Sequence, residues 1–519
     1  MNTYVPLQSP GSLHRTQAPI PLLSEREETL NSIQYLGMNP NFSNADFSYS
    51  LQQLGYSTPP LESLPITDTI LGFGQDPVIQ AMLPSHEILL ELVDLFFDHF
   101  YHSFPCFHKA TLKEQVRSQY LQTNSPLVLY AICALSARYH HDPGIRNQSD
   151  SWYEHAKLLY DISGRDPKPV LRTIQAAICL VFFSWTVGDF SAGWLHLGKA
   201  WRQAVACNLH RLDMSQQPFE SLIPEWPPNA LEKEECRRTL WVLFIIDKCY
   251  TVSTVWPGSI NERQYKVNIP VNETLFQDLI PEIEESAINN TLFTRNLDSL
   301  ISSSSTAANP LNLFHYLVVA YVIFGRLSEY LHSSYDSSDS LEDTQAAAEL
   351  DSQLLRFRLS LPRAATSVIE ASDDTRGLVI WLGISLNSMA IMLHYRCNDE
   401  EKAMEQFARA VGAAKNIVQI VKDTSRTSID LLISAHLGTP LYLAACILTI
   451  QWRISGDDTV KADIDLFGHV FDRYKEVYFV LGLKFKLALD HFIENTNREQ
   501  IPILRKKGLE GLLDCSKVF

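Results

Sequence analysis

The sequence predicts an all-α protein, and three observations support that fold class. Apolar residues recur at the three-to-four-residue spacing of one helix face through most of the chain after residue 86. Alternating apolar runs bounded by turn residues, which would predict strands, are scarce. The 519 residues are 46% hydrophobic and 20% charged, an ordinary globular composition with enough apolar material for a large core.

Residues 1–85 are rich in Pro, Ser and Asn and keep no sustained period, so we expect a disordered, linker-like segment. Its only cationic side chains are Arg15 and Arg26, against seven acidic residues. It is therefore neither a basic DNA-binding arm nor a secretory signal. A terminus without any role is an equally good interpretation.

The helical part begins near His86, and its first half contains six predicted helices. Asp150 or Ser151 is expected to cap the third of them. Asn208 is expected to stop the fifth, because Asn tolerates the left-handed conformation that follows a helix. The predicted helices begin at 86 and then cover 127–139, 152–162, 170–186, 192–207 and 231–254.

Small residues in the fifth predicted helix, Gly193 and Gly198 among them, indicate a close approach of a second helix, since glycine inside a helix costs about 1 kcal/mol relative to alanine. The sixth helix is apolar around most of its circumference and should be buried. Arg237 and Arg238 flank its apolar run and need carboxylates, for which Glu234 and Asp247 are the expected partners. A clamp for an effector's carboxylate or phosphate is the less favoured alternative.

The second half is predicted as a loop at 286–310, a helical part at 311–495 and a tail at 496–519. Ser333 to Asp343 should form an acidic, serine-rich loop. Gly438 suits a helix stop and Pro440 a helix start. Arg505-Lys506-Lys507 fits an exposed helix end better than a nuclear localisation signal. The predicted helices are 311–331, 344–359, 376–396, 400–423, 428–437, 440–453, 459–484 and 485–494.

Charge and cysteine content bound the function classes. The net charge is −16, which argues against this chain binding DNA by itself, because DNA-binding proteins need a basic face to contact the phosphates. None of the nine cysteines forms Cys-x-x-Cys, and none precedes Cys106, so we expect no DNA-binding residues in this chain. The longest apolar runs noted, such as Leu441 to Trp452, are shorter than a membrane span, and we expect no membrane partner.

No catalytic or metal-ligating residues are expected either. The acidic pairs Asp373-Asp374 and Asn398-Asp399 lack the further ligands that a magnesium-dependent terpene cyclase needs. Gly72-x-Gly74 lacks a third glycine, and neither Gly-x-Ser-x-Gly nor His-Glu-x-x-His occurs. His140-His141-Asp142 is expected to be a helix-end turn whose adjacent side chains point apart.

The order of motifs from about 88 to 275 resembles the regulatory domain, or middle homology region, of fungal zinc binuclear cluster transcription factors. Asn208 departs from that pattern, which has Gly, and so does Val255-Trp256 before Pro257. The resemblance implies that 86–285 is the core of the region and that 311–495 continues the same body. The matching residues, expected to be structural, are Gln175, Gly188, Trp194, Gly198, Arg211, Glu234, Arg237, Arg238, Trp241, Asp247, Pro257 and Pro270.

The resemblance also implies a function. We expect a nuclear regulator of a metabolic or secondary-metabolite gene set that acts by binding another regulator, a second copy of itself or a small effector. DNA would be reached only indirectly or through a missing module, and zinc would be a cofactor only if an N-terminal cluster exists. The alternatives are a truncated gene model of a zinc-cluster factor and, from another class, a helical scaffold protein.

Overall fold

The computed structural model describes residues 82–163, 170–214, 227–254, 256–333, 340–395 and 403–518. The expected disordered segment falls outside these residues except for its last four positions. Among the described residues up to Thr254 there are nine α-helices. These are α1 (His86–His99), α2 (Lys109–Arg117), α3 (Tyr120–Asn124), α4 (Pro126–Ser136), α5 (Pro143–Arg146), α6 (Ser149–Ser163), α7 (Val170–Thr186), α8 (Phe190–Ala206) and α9 (Ala230–Thr254).

Eleven more helices follow among the described residues. They are α10 (Glu273–Gln277), α11 (Leu297–Ser302), α12 (Leu313–Ser333), α13 (Ser340–Ser360), α14 (Asp373–Tyr395), α15 (Ala403–Ser425), α16 (Gly438–Ser455), α17 (Asp458–Val477), α18 (Phe479–Asn495), α19 (Ile501–Lys507) and α20 (Leu509–Val518). In the described ranges the only strand-like pairings are isolated bridges, Ile269 with Thr291 and Ala308 with Leu311. The all-α prediction is confirmed.

One continuous apolar core runs from Leu89 in α1 to Leu513 in α20. Every residue of α7 is buried, because α4, α6, α8 and α9 all pack against it. The long helix α9 lies between α7, α8 and α12, while α14, α15 and α16 pack in sequence on the C-terminal side. The helix that the sequence predicts to be buried is therefore an interior helix.

The glycines of α8 differ in their surroundings. A Cβ on Gly193 would lie 1.9 Å from the Tyr250 hydroxyl of α9, so this glycine permits the predicted close helix approach. A Cβ on Gly198 would meet only Arg202 of its own helix, at 3.0 Å, so the expectation was wrong there. Asn208 has φ +57° directly after α8, which confirms the predicted left-handed stop.

Two predicted irregular segments contain helices. The expected loop at 286–310 includes α11, whose Leu297, Leu300 and Ile301 are buried against the core. The expected tail at 496–519 forms α19 and α20, with Leu512 fully buried. All three helices, of six, seven and ten residues, are too short for a clear apolar period, which is why the sequence pattern missed them. Of the expected acidic loop, 334–339 lies outside the described residues, and Ser340 already begins α13.

Several predicted boundaries were also wrong. Asp150 and Ser151 lie inside the first turn of α6, which begins at Ser149. The predicted helix at 428–437 is two separate 3-10 turns, Ile429–Leu432 and Ala435–Leu437. Gly438 begins α16 instead of ending a helix, and a Cβ there would lie 2.3 Å from the Phe485 ring. The ends predicted at 396 and 400 fall outside the described residues.

Helix α14 is long and apolar enough to span a membrane by length and composition, which the sequence reading overlooked. Its most apolar window is 94% buried inside the protein. Such burial is what a core helix of a folded domain shows.

Candidate functional site

The first part of the site is a buried polar network where α7 meets α9. Gln175 Nε2 donates to the carbonyl of Cys106 (2.8 Å) and to Glu235 Oε1 (3.2 Å). Arg172 binds the same carboxylate oxygen at 2.6 Å. The backbone N–H of His108 donates to it as well, at 3.2 Å. Because Glu235 is fully buried, these donors stabilise a charge that could not otherwise leave water. The network holds the segment before α2 onto α9.

The neighbouring carboxylate, Glu234, holds a second segment. It accepts hydrogen bonds from the Val271 N–H (2.8 Å) and from Asn290 Nδ2 (2.9 Å). Arg237 lies one turn further along α9 and pairs with Glu234 at 3.0 Å, as predicted from their spacing. The extended chain around Pro270 is thereby fixed to the helix.

Arg237 makes its strongest contact with Asp213, which the sequence reading missed. Nη2 lies 2.6 Å from Oδ1 and Nε lies 3.0 Å from Oδ2. Burial opposes the charge on Arg237, but its hydrogen bonds to Asp213 and Glu234 outweigh that effect and raise its pKa. Asp213 also accepts from the Asn268 N–H at 2.7 Å, so it ties the chain after α8 to the chain after α9.

Arg238 is fully buried and has no contact with Asp247 within the described structure, so the expected pairing with that residue was wrong. It donates to the carbonyls of Pro105 (2.9 Å) and Val271 (2.7 Å) and to Glu273 (2.7 Å). Its guanidinium lies 4.1 Å from the centre of the Phe276 ring. Both Nη atoms of the Arg238 guanidinium therefore bind groups of the protein itself. The sequence favoured such pairing within the domain over a clamp for an effector.

Asp247 instead holds the turn that follows α9. Its carboxylate accepts from the Ser259 N–H (2.7 Å) and the Ile260 N–H (3.1 Å) and pairs with Lys248 at 2.9 Å. Trp241, which precedes Asp247 on α9, donates from Nε1 to the carbonyl of Asn268 at 2.9 Å. Both contacts use side chains of α9 to fix backbone that has no regular structure of its own.

The other motif residues lie around this centre. Gly188 has φ +79° in the turn between α7 and α8, a conformation that favours glycine. The Trp194 ring meets Trp256 edge-on at 5.3 Å, so the departure from the family pattern at Trp256 has a packing partner. Pro270 is buried and its carbonyl accepts from Asn312 at 2.9 Å. Pro257 is exposed, and Arg211 lies in the 3-10 turn after α8.

Two cavities lie beside residues of α9 or beside residues that contact α9. One of about 540 Å³ lies beside Glu273 and Phe314, which both contact Arg238. The other, of about 370 Å³, lies beside Lys248 and the Pro257-Gly258 turn. Both fall in the size range of small-molecule pockets.

The His140-His141 segment lies at a helix end as predicted, but the expectation that its side chains point apart was wrong, because the two rings stack 4.3 Å apart. With Glu91 they bring three ligand atoms within 4.8 Å of one another. However, the Asp142 N–H donates to His140 Nδ1, so Nε2 carries the proton and donates to Glu91 at 3.1 Å. A metal would need the lone pair of that Nε2. The cluster therefore fits a hydrogen-bonded turn.

The cysteines of the described ranges do not fit a zinc cluster. All eight are free thiols, and seven of them are buried. Burial raises the pKa of thiols such as Cys133 and Cys179, which keeps them protonated and unsuited to bind zinc. Cys397 lies outside the described residues.

Comparison with known proteins gives the family. Residues 93–361, more than half of the chain, match the model described as "Fungal specific transcription factor domain". The match extends beyond the predicted core and includes α11, α12 and α13.

Curated relatives are transcription factors as well. The chain is 27% identical over 206 residues to a Zn(2)-C6 fungal-type transcription factor of Fusarium oxysporum, covering 38% of this chain and 22% of the relative. It is 23% identical over 187 residues to a pigment biosynthesis transcriptional activator of Monascus ruber, covering 35% and 33%. A citrinin biosynthesis transcriptional activator of the same species is 25% identical over 212 residues, covering 39% and 38%. The chain therefore spans well under half the length of these relatives. It belongs to the family of the fungal specific transcription factor domain, whose members are regulators of transcription and not enzymes.

Proposed function

We propose that this chain regulates transcription of a secondary-metabolite biosynthetic gene set in the nucleus, and that its helical domain acts by binding a small effector or another regulator. The observation that carries the proposal is the family match over residues 93–361, together with relatives named for pigment and citrinin biosynthesis. The geometry supports a regulatory role, because α9 holds several segments of irregular chain through buried ionic contacts. One cavity is lined by Lys248 of α9, and the other by Glu273, which pairs with Arg238 of α9. A ligand in either cavity would contact the groups that hold those segments.

The test is a deletion of the gene, followed by transcript profiling, combined with a fluorescent fusion that follows localisation. We expect a nuclear signal and a coordinated change in the transcripts of one biosynthetic gene set. A fusion that stays outside the nucleus, with unchanged transcripts, would favour a scaffold without a transcriptional role.

DNA contact is a separate question, since the chain covers only part of its relatives' length. The 5′ end of the transcript should therefore be mapped. An upstream exon with six closely spaced cysteines in frame would supply a DNA reader. Without such an exon, the chain should be found with a DNA-binding companion in a pull-down from nuclear extract.

A further inference from the structure

The smaller of the two cavities beside α9 contains a set of hydrogen-bonding groups that suggests its ligand. It lies where the last turns of α9 and α12 meet the Pro257–Asn261 segment and has a volume of about 370 Å³. At the ~30 Å³ that one water occupies in the liquid, this is room for about twelve waters. A six-carbon metabolite fits that space.

Two glycines keep the Lys248 side chain against this cavity. A Cβ on Gly325 would lie 3.2 Å from Lys248 Cε, and a Cβ on Gly258 would lie 3.0 Å from its Nζ. The ammonium itself is nearly buried, with 7% of the side chain exposed. Nζ donates to Asp247 Oδ2 (2.9 Å) and to the Ile260 carbonyl (2.5 Å), which leaves one of its three hydrogens for another acceptor.

Ser328 supplies the second unused group. It is only 5% exposed and lines the cavity. Among the described residues, its hydroxyl has no hydrogen-bond partner, unlike the Thr251 hydroxyl, which donates to the Lys248 carbonyl at 2.8 Å. A hydroxyl that makes no hydrogen bond within the protein can donate to a solvent or ligand atom in the cavity.

Acceptors line the same cavity. His332 is one of its lining residues, and burial lowers its pKa, so the neutral ring offers one nitrogen lone pair as an acceptor. The Glu329 carboxylate is exposed at the rim. The cavity therefore offers both donors and acceptors to whatever occupies it.

The charges disfavour an anionic ligand. Asp247 already neutralises Lys248, and Glu329 adds a negative charge. The C-terminal ends of α9 and α12 both lie here, and helix C-termini carry partial negative charge. An uncharged molecule with several hydroxyl groups satisfies the donors and acceptors without a second carboxylate.

We propose that this cavity binds an uncharged polyhydroxylated metabolite of about monosaccharide size. One hydroxyl oxygen accepts from Lys248 and Ser328, and other hydroxyls donate to His332 and Glu329. The inference rests on the proposed regulatory function and names its effector. A ligand there strengthens the contacts of Lys248 and Asp247 with the turn at Ser259 and Ile260. Because both residues belong to α9, ligand binding stabilises the attachment of this turn to the helix.

The test uses three linear six-carbon probes that differ in charge: sorbitol, gluconate and 1-amino-1-deoxysorbitol. Saturation-transfer NMR on the 519-residue chain measures the affinity of each. We expect sorbitol to bind and gluconate to bind at least about tenfold more weakly, because Glu329 repels its carboxylate and Asp247 already neutralises Lys248. Ser328→Ala should weaken sorbitol about fivefold, the loss of one neutral hydrogen bond. Ser328→Leu, which places an isobutyl group in the cavity and also removes the hydroxyl, should weaken binding further than Ser328→Ala.

Ser388→Ala is the matched control. Ser388 is also a buried helix serine whose hydroxyl has no partner in the described structure, but it does not line this cavity. It should leave sorbitol affinity unchanged, and circular dichroism should show all variants folded. Tighter binding of gluconate or of 1-amino-1-deoxysorbitol than of sorbitol, equal affinity of the Ser328→Ala variant, or absence of sorbitol binding would each overturn the assignment. Those results would leave the transcript changes on gene deletion unaffected, so failure of the ligand and failure of the regulatory function are distinguishable.

Discussion

The Arg237 guanidinium and the Asp213 carboxylate form a bidentate ion pair, with Nη2–Oδ1 at 2.6 Å and Nε–Oδ2 at 3.0 Å. Both side chains are nearly buried, with 2% and 6% of their surfaces exposed. Two parallel hydrogen bonds fix the relative orientation of the two groups, and water does not screen them. The pair therefore locks the chain that follows α8 against α9.

Asp213→Asn should be strongly destabilising. It leaves the buried Arg237 with Glu234 as its main remaining anion, and breaking a buried pair costs about 3–5 kcal/mol. Urea denaturation followed by circular dichroism measures the loss. Asp298→Asn is the control, because Asp298 pairs with Arg356 at the surface and both side chains are at least half exposed. That change should cost less than about 1 kcal/mol. Equal losses in the two variants would show that the buried pair has no special weight.

Gly193→Ala should also destabilise the fold. The new methyl group would lie 1.9 Å from the Tyr250 hydroxyl, so α8 and α9 must move apart, at a cost of about 1–3 kcal/mol. Gly412→Ala in α15 is the control, because its Cβ would meet nothing within 4 Å. There the better helix propensity of alanine should stabilise by about 1 kcal/mol. Adding Tyr250→Phe should recover part of the loss at Gly193, and a loss that is unaffected would refute the contact.

Acid should destabilise the protein through buried histidines. His315 is 1% exposed, and burial lowers its pKa from 6.5 to about 4. Below pH 6.5 the unfolded chain binds a proton that the folded chain does not, so stability falls as pH falls from 6.5 towards 4. At pH 5 this one residue accounts for about 2 kcal/mol.

The pH dependence is checked by urea denaturation at pH 7 and pH 5. His315→Gln, which keeps a hydrogen-bonding group near Ser303, should reduce the difference between the two pH values. His469→Gln, at an exposed position of α17, should not. His436, whose pKa burial lowers to about 3, should act in the same direction as His315. Stability that rises on acidification would contradict the argument.

The sequence predicted contacts along a helix better than contacts across the fold. Glu234 and Arg237 lie one turn apart on α9, so their pairing follows from helical spacing. Asp213 lies 24 residues before Arg237, and no local rule relates the two. Asp247 flanks the same apolar run as Arg237 and Arg238, which made it an expected partner, yet its carboxylate binds the turn at Ser259.

Helix boundaries that depend on contacts across the fold were also predicted poorly. The sequence predicts one helix from 459 to 484, because the apolar spacing continues without Pro through that segment. The chain instead breaks at Tyr478, between α17 and α18. A Cβ on Gly482 would lie 2.2 Å from the backbone nitrogen of Lys475, so the two helices meet too closely for any side chain there. That requirement comes from tertiary packing, and a single glycine is its only sign in the sequence, so the break could not be predicted.

Asp247 stabilises the turn at Ser259 and Ile260, and amide hydrogen exchange can measure that effect. Its carboxylate accepts from the Ser259 and Ile260 amides and anchors Lys248, whose ammonium also binds the Ile260 carbonyl. Asp247→Asn removes the ion pair and one of the two acceptors, and a hydrogen bond to a charged group contributes about 1.5–3 kcal/mol. Amide exchange at Ser259 and Ile260 should therefore accelerate at least about tenfold. Asn261→Ala frees only the Arg263 amide and should leave those two amides protected. If both variants expose the turn equally, the turn is held by general packing and not by Asp247.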